Sequence, residues 1–94
     1  MGIVKISNLL ENPTVKLMLF LLDRREARYS EMLKYLGSRG TLTLTLKELE
    51  QDGLIARKVI TNVRPAQAYY SLTERGLKIA KLFVEIRDSL AGKG

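Results

Sequence analysis

The stretch TVKLMLFLLD, Thr14 to Asp23, is almost unbroken in its hydrophobicity and needs burial on most sides. It follows Asn12-Pro13. An asparagine there can accept from free backbone N–H groups, and a proline at the first helical position gives up an N–H that has no partner anyway, so the stretch reads as a helix. Its apolar run, Leu17 to Leu22, falls far short of the ~20 residues of a membrane span, and no membrane is expected as a partner. A chain of 94 residues has room for one compact domain with one modest core, expected to span residues 1–94. With 46% hydrophobic and 28% charged residues, the composition belongs to globular rather than disordered chains.

Turn and cap residues divide the rest. IVKISNLLE, from Ile3, reads as a short helix with Ile3, Ile6, Leu9 and Leu10 on one face. RREAR, Arg24 to Arg28, reads as a charged link. Ser30 and Glu31 open SEMLKYLG, a short helix with Met32, Leu33 and Leu36 inward and Gly37 at its end. A turn over Gly37 to Gly40 leads into TLTLTLKELEQD, which Gly53 closes. LIARKVI and QAYYSL, around TNVRPA, read as a hairpin over residues 54–72 with Asn62 and Pro65 in its tip. Thr73 then opens a last helix that runs to about Ala91.

The segment after the turn carries two signals. Thr-Leu-Thr-Leu-Thr-Leu alternates like a strand, yet Leu42, Leu46 and Leu49 recur at helical spacing. Steps of 100° bring Leu46 and Leu49 within about 40° of Leu42 and send Thr43, Leu44, Lys47 and Gln51 outward. Only the helix gives every long apolar residue except Leu44 a buried place. The order is then helix, helix, short helix, turn, helix, hairpin, helix. That is a mainly α fold with a small β-hairpin, the winged helix-turn-helix arrangement, with the helix-turn-helix over residues 30–53 and flanking helices over 3–23 and 73–91.

Charge sharpens the expectation. The formal net charge is +6, concentrated in two segments: Arg24, Arg25, Arg28, Lys34 and Arg39 against Glu26 and Glu31, and Arg57, Lys58 and Arg64 without an acid. Both lie where a winged helix meets phosphate, so a polyanionic partner is expected. Cysteine and histidine are absent, which excludes disulfides, Cys/His zinc sites and Ser-His or Cys-His nucleophiles. With no paired carboxylates and no phosphate-binding glycine loop, an enzyme is not expected, nor any cofactor. The N-terminus, MGIVKISNLLEN, has no cleavage-site pattern behind a proper apolar stretch, so a cytoplasmic location is expected.

RYSEMLKYL, LTLTLKELEQDGLIARKV and YSLTERG resemble the blocks of HxlR-like transcription regulators, within the wider MarR-type winged helices, over roughly Ile6 to Leu82. The resemblance implies a dimeric DNA-binding repressor or activator built on terminal helices. The chain departs from the pattern at Gly40, where a basic residue is common, at Leu44, where a polar one is, and at Ala66, where a second proline is usual. It also lacks the N-terminal cysteine with which many members sense reactive species. The DNA sequence read and any small-molecule effector are therefore not implied.

The expected DNA-binding residues fall in three groups. Thr41, as helix cap or phosphate contact, Thr43, Leu44 and Lys47 lie on the recognition helix, where an outward leucine can meet thymine methyls and threonine hydroxyls can bond base edges. Arg57, Lys58, Asn62 and Arg64 lie on the wing, with Arg64 at the tip for minor groove or phosphate. Arg28, Ser30 and Arg39 flank the helix-turn-helix and suit backbone contacts. The last helix shows two apolar faces: Leu77, Ala80 and Val84 within about 60° of one another, and Ile79, Leu82, Phe83, Ile86 and Leu90 on the other side. One small domain can cover only one of them. The second, with Ile3, Ile6 and Leu10, is expected to form a homodimer interface. Two other readings fit the residues: a protein-interaction module of a transcription or replication assembly, and non-specific coating of DNA.

Overall fold

Helix α2 (Pro13–Arg24) is the element the others pack around, with Val15, Leu17, Met18 and Leu21 buried. The Asn12 side chain accepts from Thr14 N at 2.9 Å, and Pro13 occupies the first turn, as the sequence predicts. The computed structural model describes residues 6–92. Before α2 lies α1 (Ile6–Leu9), and after it come β1 (Glu26–Arg28), α3 (Tyr29–Leu36), α4 (Arg39–Gln51), β2 (Ile55–Ile60), β3 (Gln67–Leu72) and α5 (Glu74–Leu90). The fold is mainly α with a small antiparallel sheet in the order β1-β3-β2, a winged helix-turn-helix.

The charged link RREAR is not irregular. Its last three residues form β1, which pairs with β3 through Glu26 and Ser71, Ala27 and Tyr70, and Arg28 and Tyr69. Ala27 is buried between two exposed charged neighbours, so the segment alternates with period two over a length too short to give a strand signal. A short, charged edge strand also resists pairing with another chain.

Two helix starts shift from their expected places. α3 begins at Tyr29, with Glu31 reaching back to accept from Arg28 N at 2.9 Å. α4 begins at Arg39, so the turn shortens to Gly37-Ser38 and Gly40 lies inside the helix. Ser38, not Thr41, is the cap: its Oγ accepts from Thr41 N at 3.3 Å. A serine three residues upstream of Thr41 meets the free N–H groups first, which leaves Thr41 in the first turn.

Leu42, Thr45, Leu46 and Leu49 form the buried stripe of α4, against Leu17, Met18 and Leu21 of α2 and Met32 of α3. Each leucine contributes about 1.5–3 kcal/mol on burial. α3 is held to α2 by Phe20 and Tyr35, stacked with ring centroids 4.6 Å apart, with Lys16 over one ring and Arg24 over the other.

α5 turns a mixed face inward. Gly76 and Ala80 are buried, Ile79 and Phe83 pack on the core, and Leu77 is exposed. The two faces drawn from the helical wheel are therefore partitioned differently, because the small residues at 76 and 80 let the helix approach and pull Ile79 and Phe83 in beside them. The approach is tightest at Gly76, where a Cβ would fall inside van der Waals contact with the Leu54 carbonyl oxygen. That carbonyl accepts from Thr73 N at 3.0 Å, and Thr73 Oγ1 both accepts from Gly76 N at 3.1 Å and donates to Gly53 O at 2.7 Å.

In a free helix Gly→Ala gains about 1 kcal/mol. Here the added methyl must displace a bonded backbone carbonyl, a strain of about 1–3 kcal/mol plus the weakened bond. Gly76→Ala is expected to cost a net ~1–3 kcal/mol of stability, read as a lowered midpoint of urea unfolding, and a raised midpoint would show that the junction is slack.

Candidate nucleic-acid interface

Burial of the leucine stripe fixes the rotation of α4, and the rotation decides what faces out. Arg39, Thr43, Leu44, Lys47 and Gln51 are exposed, Leu44 at 58% of its surface. Arg39, Thr43 and Lys47 fall at successive i, i+4 positions and form one ridge. Thr41 is half-buried, and its hydroxyl accepts from Ser38 Oγ at 3.1 Å, so part of its hydrogen-bonding capacity is used within the turn.

Thr43 is exposed but not free. Its Oγ1 lies 2.8 Å from the hydroxyl of Tyr29, whose ring has the Arg39 guanidinium 5.8 Å from its centre. A groove of about 280 Å³ beside the ridge is lined by Tyr29, Thr43, Leu46, Lys47, Glu50, Gln51 and Tyr70. Arg28 and Ser30 are exposed at the start of α3, next in sequence to Tyr29 on either side. Tyr29 has no place among the residues expected from sequence. Only the crossing of α3 against α4 brings it to Thr43, 14 residues away.

The wing divides its charges. Strand register pairs Arg57 with Tyr70 and Lys58 with Tyr69, so the two cations project from opposite faces of the sheet. Arg57 shares the face of Tyr70, a residue of the groove beside Lys47. Lys58 shares the other with Tyr69 and Arg28, which lie in one row across the three strands. The predicted cluster of Arg57, Lys58 and Arg64 is thus two surfaces and a tip. Asn62 and Arg64 are exposed in that tip, within the fully exposed run Thr61 to Ala66.

Of the residues expected at a dimer interface, Ile3 and the side chain of Ile6 lie outside the described residues. Leu82, Ile86 and Leu90 line an apolar groove of about 660 Å³ with Leu9, Glu85 and Ser89. Leu82 is 56% and Leu90 45% exposed. Leu10 lines a separate groove with Leu19, Phe20 and Tyr35, while Ile79 and Phe83 serve the core of their own chain.

A short helix, a two-residue turn, a capped helix with a polar outward ridge and a basic hairpin make up a winged helix-turn-helix, the class of fold found in DNA-binding transcription regulators. Residues 10–92 match the profile of the family described as HxlR-like helix-turn-helix, and the chain belongs to that family. It is 36% identical over 74 residues to the HTH-type transcriptional regulator YdeP of Bacillus subtilis (strain 168), covering 77% of this chain and 56% of that protein. To YvaP of the same organism, another HTH-type transcriptional regulator, it is 36% identical over 85 residues, covering 87% and 77%. The structure of a transcriptional regulator homologue from Pyrococcus horikoshii OT3 matches with a TM-score of 0.73 at 28% identity, over 92% of this chain and 87% of that one. Among the described residues, no helix is long and apolar enough to cross a membrane.

The opposite placement of neighbouring leucines sets a direct comparison. Leu44→Gln is expected to change stability by no more than about 0.5 kcal/mol, as exposed sites do, whereas Leu42→Ala costs about 2–5 kcal/mol. Chemical denaturation of the two variants measures both, and a large loss from Leu44→Gln would mean that α4 is rotated from its described position.

Proposed function

We propose that the domain binds double-stranded DNA sequence-specifically as a homodimer, with α4 in the major groove and the wing around Arg64 on the backbone or minor groove. One observation carries this reading: α4 buries three leucines and holds the fourth, Leu44, in solvent beside Thr43 and Lys47. An exposed leucine between a hydroxyl and an ammonium suits a base edge that offers a thymine methyl and an acceptor side by side.

Charge along α4 supports an orientation. Arg39 and Lys47 stand in its first three turns, whereas Glu48, Glu50 and Asp52 crowd its C-terminal end. Phosphates favour the first part and are repelled by the last, where the helix dipole is negative as well. The part of α4 from Arg39 to Lys47 is then the part that enters the groove, with Arg28, Ser30 and Arg39 on the flanking backbone and Arg57, Lys58 and Asn62 on the wing side.

Affinity in this reading comes mainly from lysine and arginine on phosphate. If roughly 6–10 phosphates are neutralised, binding falls by about a thousandfold to a hundred-thousandfold between about 50 and 200 mM salt. Lys47→Ala and Arg64→Ala each remove one cation per protomer, so each is expected to reduce the salt slope by about 2 in the dimer. Fluorescence anisotropy against a labelled duplex measures the slope. Unchanged retention in the double variant would contradict the reading and favour a protein-interaction module instead.

The apolar groove of Leu9, Leu82, Ile86 and Leu90 supports self-association, since a two-fold pair of such faces is self-complementary and sets two α4 helices on successive turns of DNA. Leu82→Glu is expected to leave the fold intact, because Leu82 is exposed, and to yield monomers in sedimentation analysis. A variant that still sediments as a dimer would remove this face from the interface.

A further inference from the structure

Tyr29 is half-buried at the start of α3, its ring against the core and its hydroxyl on Thr43 Oγ1. The two hydroxyls are unequal partners. Either hydroxyl can donate across this contact, and because a phenol is the more acidic of the two, the stronger arrangement has the tyrosine O–H donating and the threonine oxygen accepting. That fills one of the two lone pairs of Oγ1 and leaves the threonine its own O–H. A hydroxyl that accepts one hydrogen bond is polarised into a better donor for the next. The bond also ties the side chain to one rotamer, so the remaining O–H points away from Tyr29.

An unconstrained threonine hydroxyl serves donor and acceptor bases alike. From the 2.8 Å Tyr29–Thr43 contact on the outward ridge of α4, we infer that Tyr29 is a positioning residue for sequence readout. It favours Thr43 as a donor, so that one base of each half-site is selected for an acceptor, guanine N7 or O6, thymine O4 or adenine N7, over cytosine, whose major-groove edge offers only the amino donor. The inference rests on α4 being the major-groove element. The Tyr29 ring, which carries the Arg39 guanidinium on its face, also links this selected base to the backbone contact expected of Arg39.

The test starts from the duplex selected by the wild-type protein out of a random pool and measures affinity for each single-base variant of it. Tyr29→Phe keeps the ring and removes the hydroxyl; Thr43→Val keeps the shape and removes the other partner. Wild type is expected to prefer an acceptor base over cytosine at one position per half-site. Either variant should lower that preference by about 3- to 10-fold, the worth of one neutral hydrogen bond, and the double variant no further.

Tyr29→Phe overturns the proposal if it weakens all duplexes equally, as a merely structural role would, or if the preference survives while Thr43→Val abolishes it. Should Tyr29→Phe unfold the domain, Tyr29→Met, an adaptable apolar side chain without the hydroxyl, takes its place: a selective loss of the acceptor-base preference that matches Thr43→Val upholds the proposal, and a preference that survives, or a loss of stability alone, overturns it. If neither variant nor Leu44→Gln alters preference at any position, the placement of α4 in the groove itself fails, and not only the role of Tyr29.

Discussion

What α4 presents to solvent is fixed by the packing of Leu42, Thr45, Leu46 and Leu49 against α2 and α3. A helix has one rotational freedom about its axis, and a buried stripe of this width removes it. Turning α4 by 100° would bring Leu44 in at the cost of exposing the stripe, a loss of several times the ~1.5–3 kcal/mol that one leucine returns. The ridge of Arg39, Thr43 and Lys47 is thus displayed as a consequence of core packing, and the functional surface inherits the precision of the core.

A second constraint ties that helix to the rest. At the end of α4, Gly53 takes a left-handed φ of 71° and Leu54 N donates back to Leu49 O at 2.9 Å. The Thr73 hydroxyl joins Gly53 O to Gly76 N, and Arg75 donates to Asp52 O at 3.3 Å. α4, the hairpin and α5 therefore meet within a few residues. The start of α5 is thus tied to the end of α4 by side-chain hydrogen bonds from Thr73 and Arg75.

Much of this was legible in the chain because it is local. The leucine spacing in α4, the Asn12-Pro13 start, the helix-ending glycines at 37 and 53 and the hairpin all follow from interactions a few residues long. What escaped depends on which distant segments meet. β1 exists because β3 lies beside it. Ile79 and Phe83 pack inward because Gly76 admits Leu54. Tyr29 gains its partner only where α3 crosses α4. The wheel of α5 was ambiguous for the same reason: it carries more apolar surface than one neighbour can cover.

The chain has no cysteine, so Leu44→Cys introduces a single thiol on the exposed face of α4, beside the Arg39–Thr43–Lys47 ridge. A DNA-cleaving reagent attached there reports directly what that surface touches. In a complex with a selected duplex, the account predicts cuts confined to two major-groove clusters about one helical turn apart, 10–10.5 base pairs, one for each protomer. Cleavage spread evenly along the duplex, or none while the DNA remains bound, would contradict it.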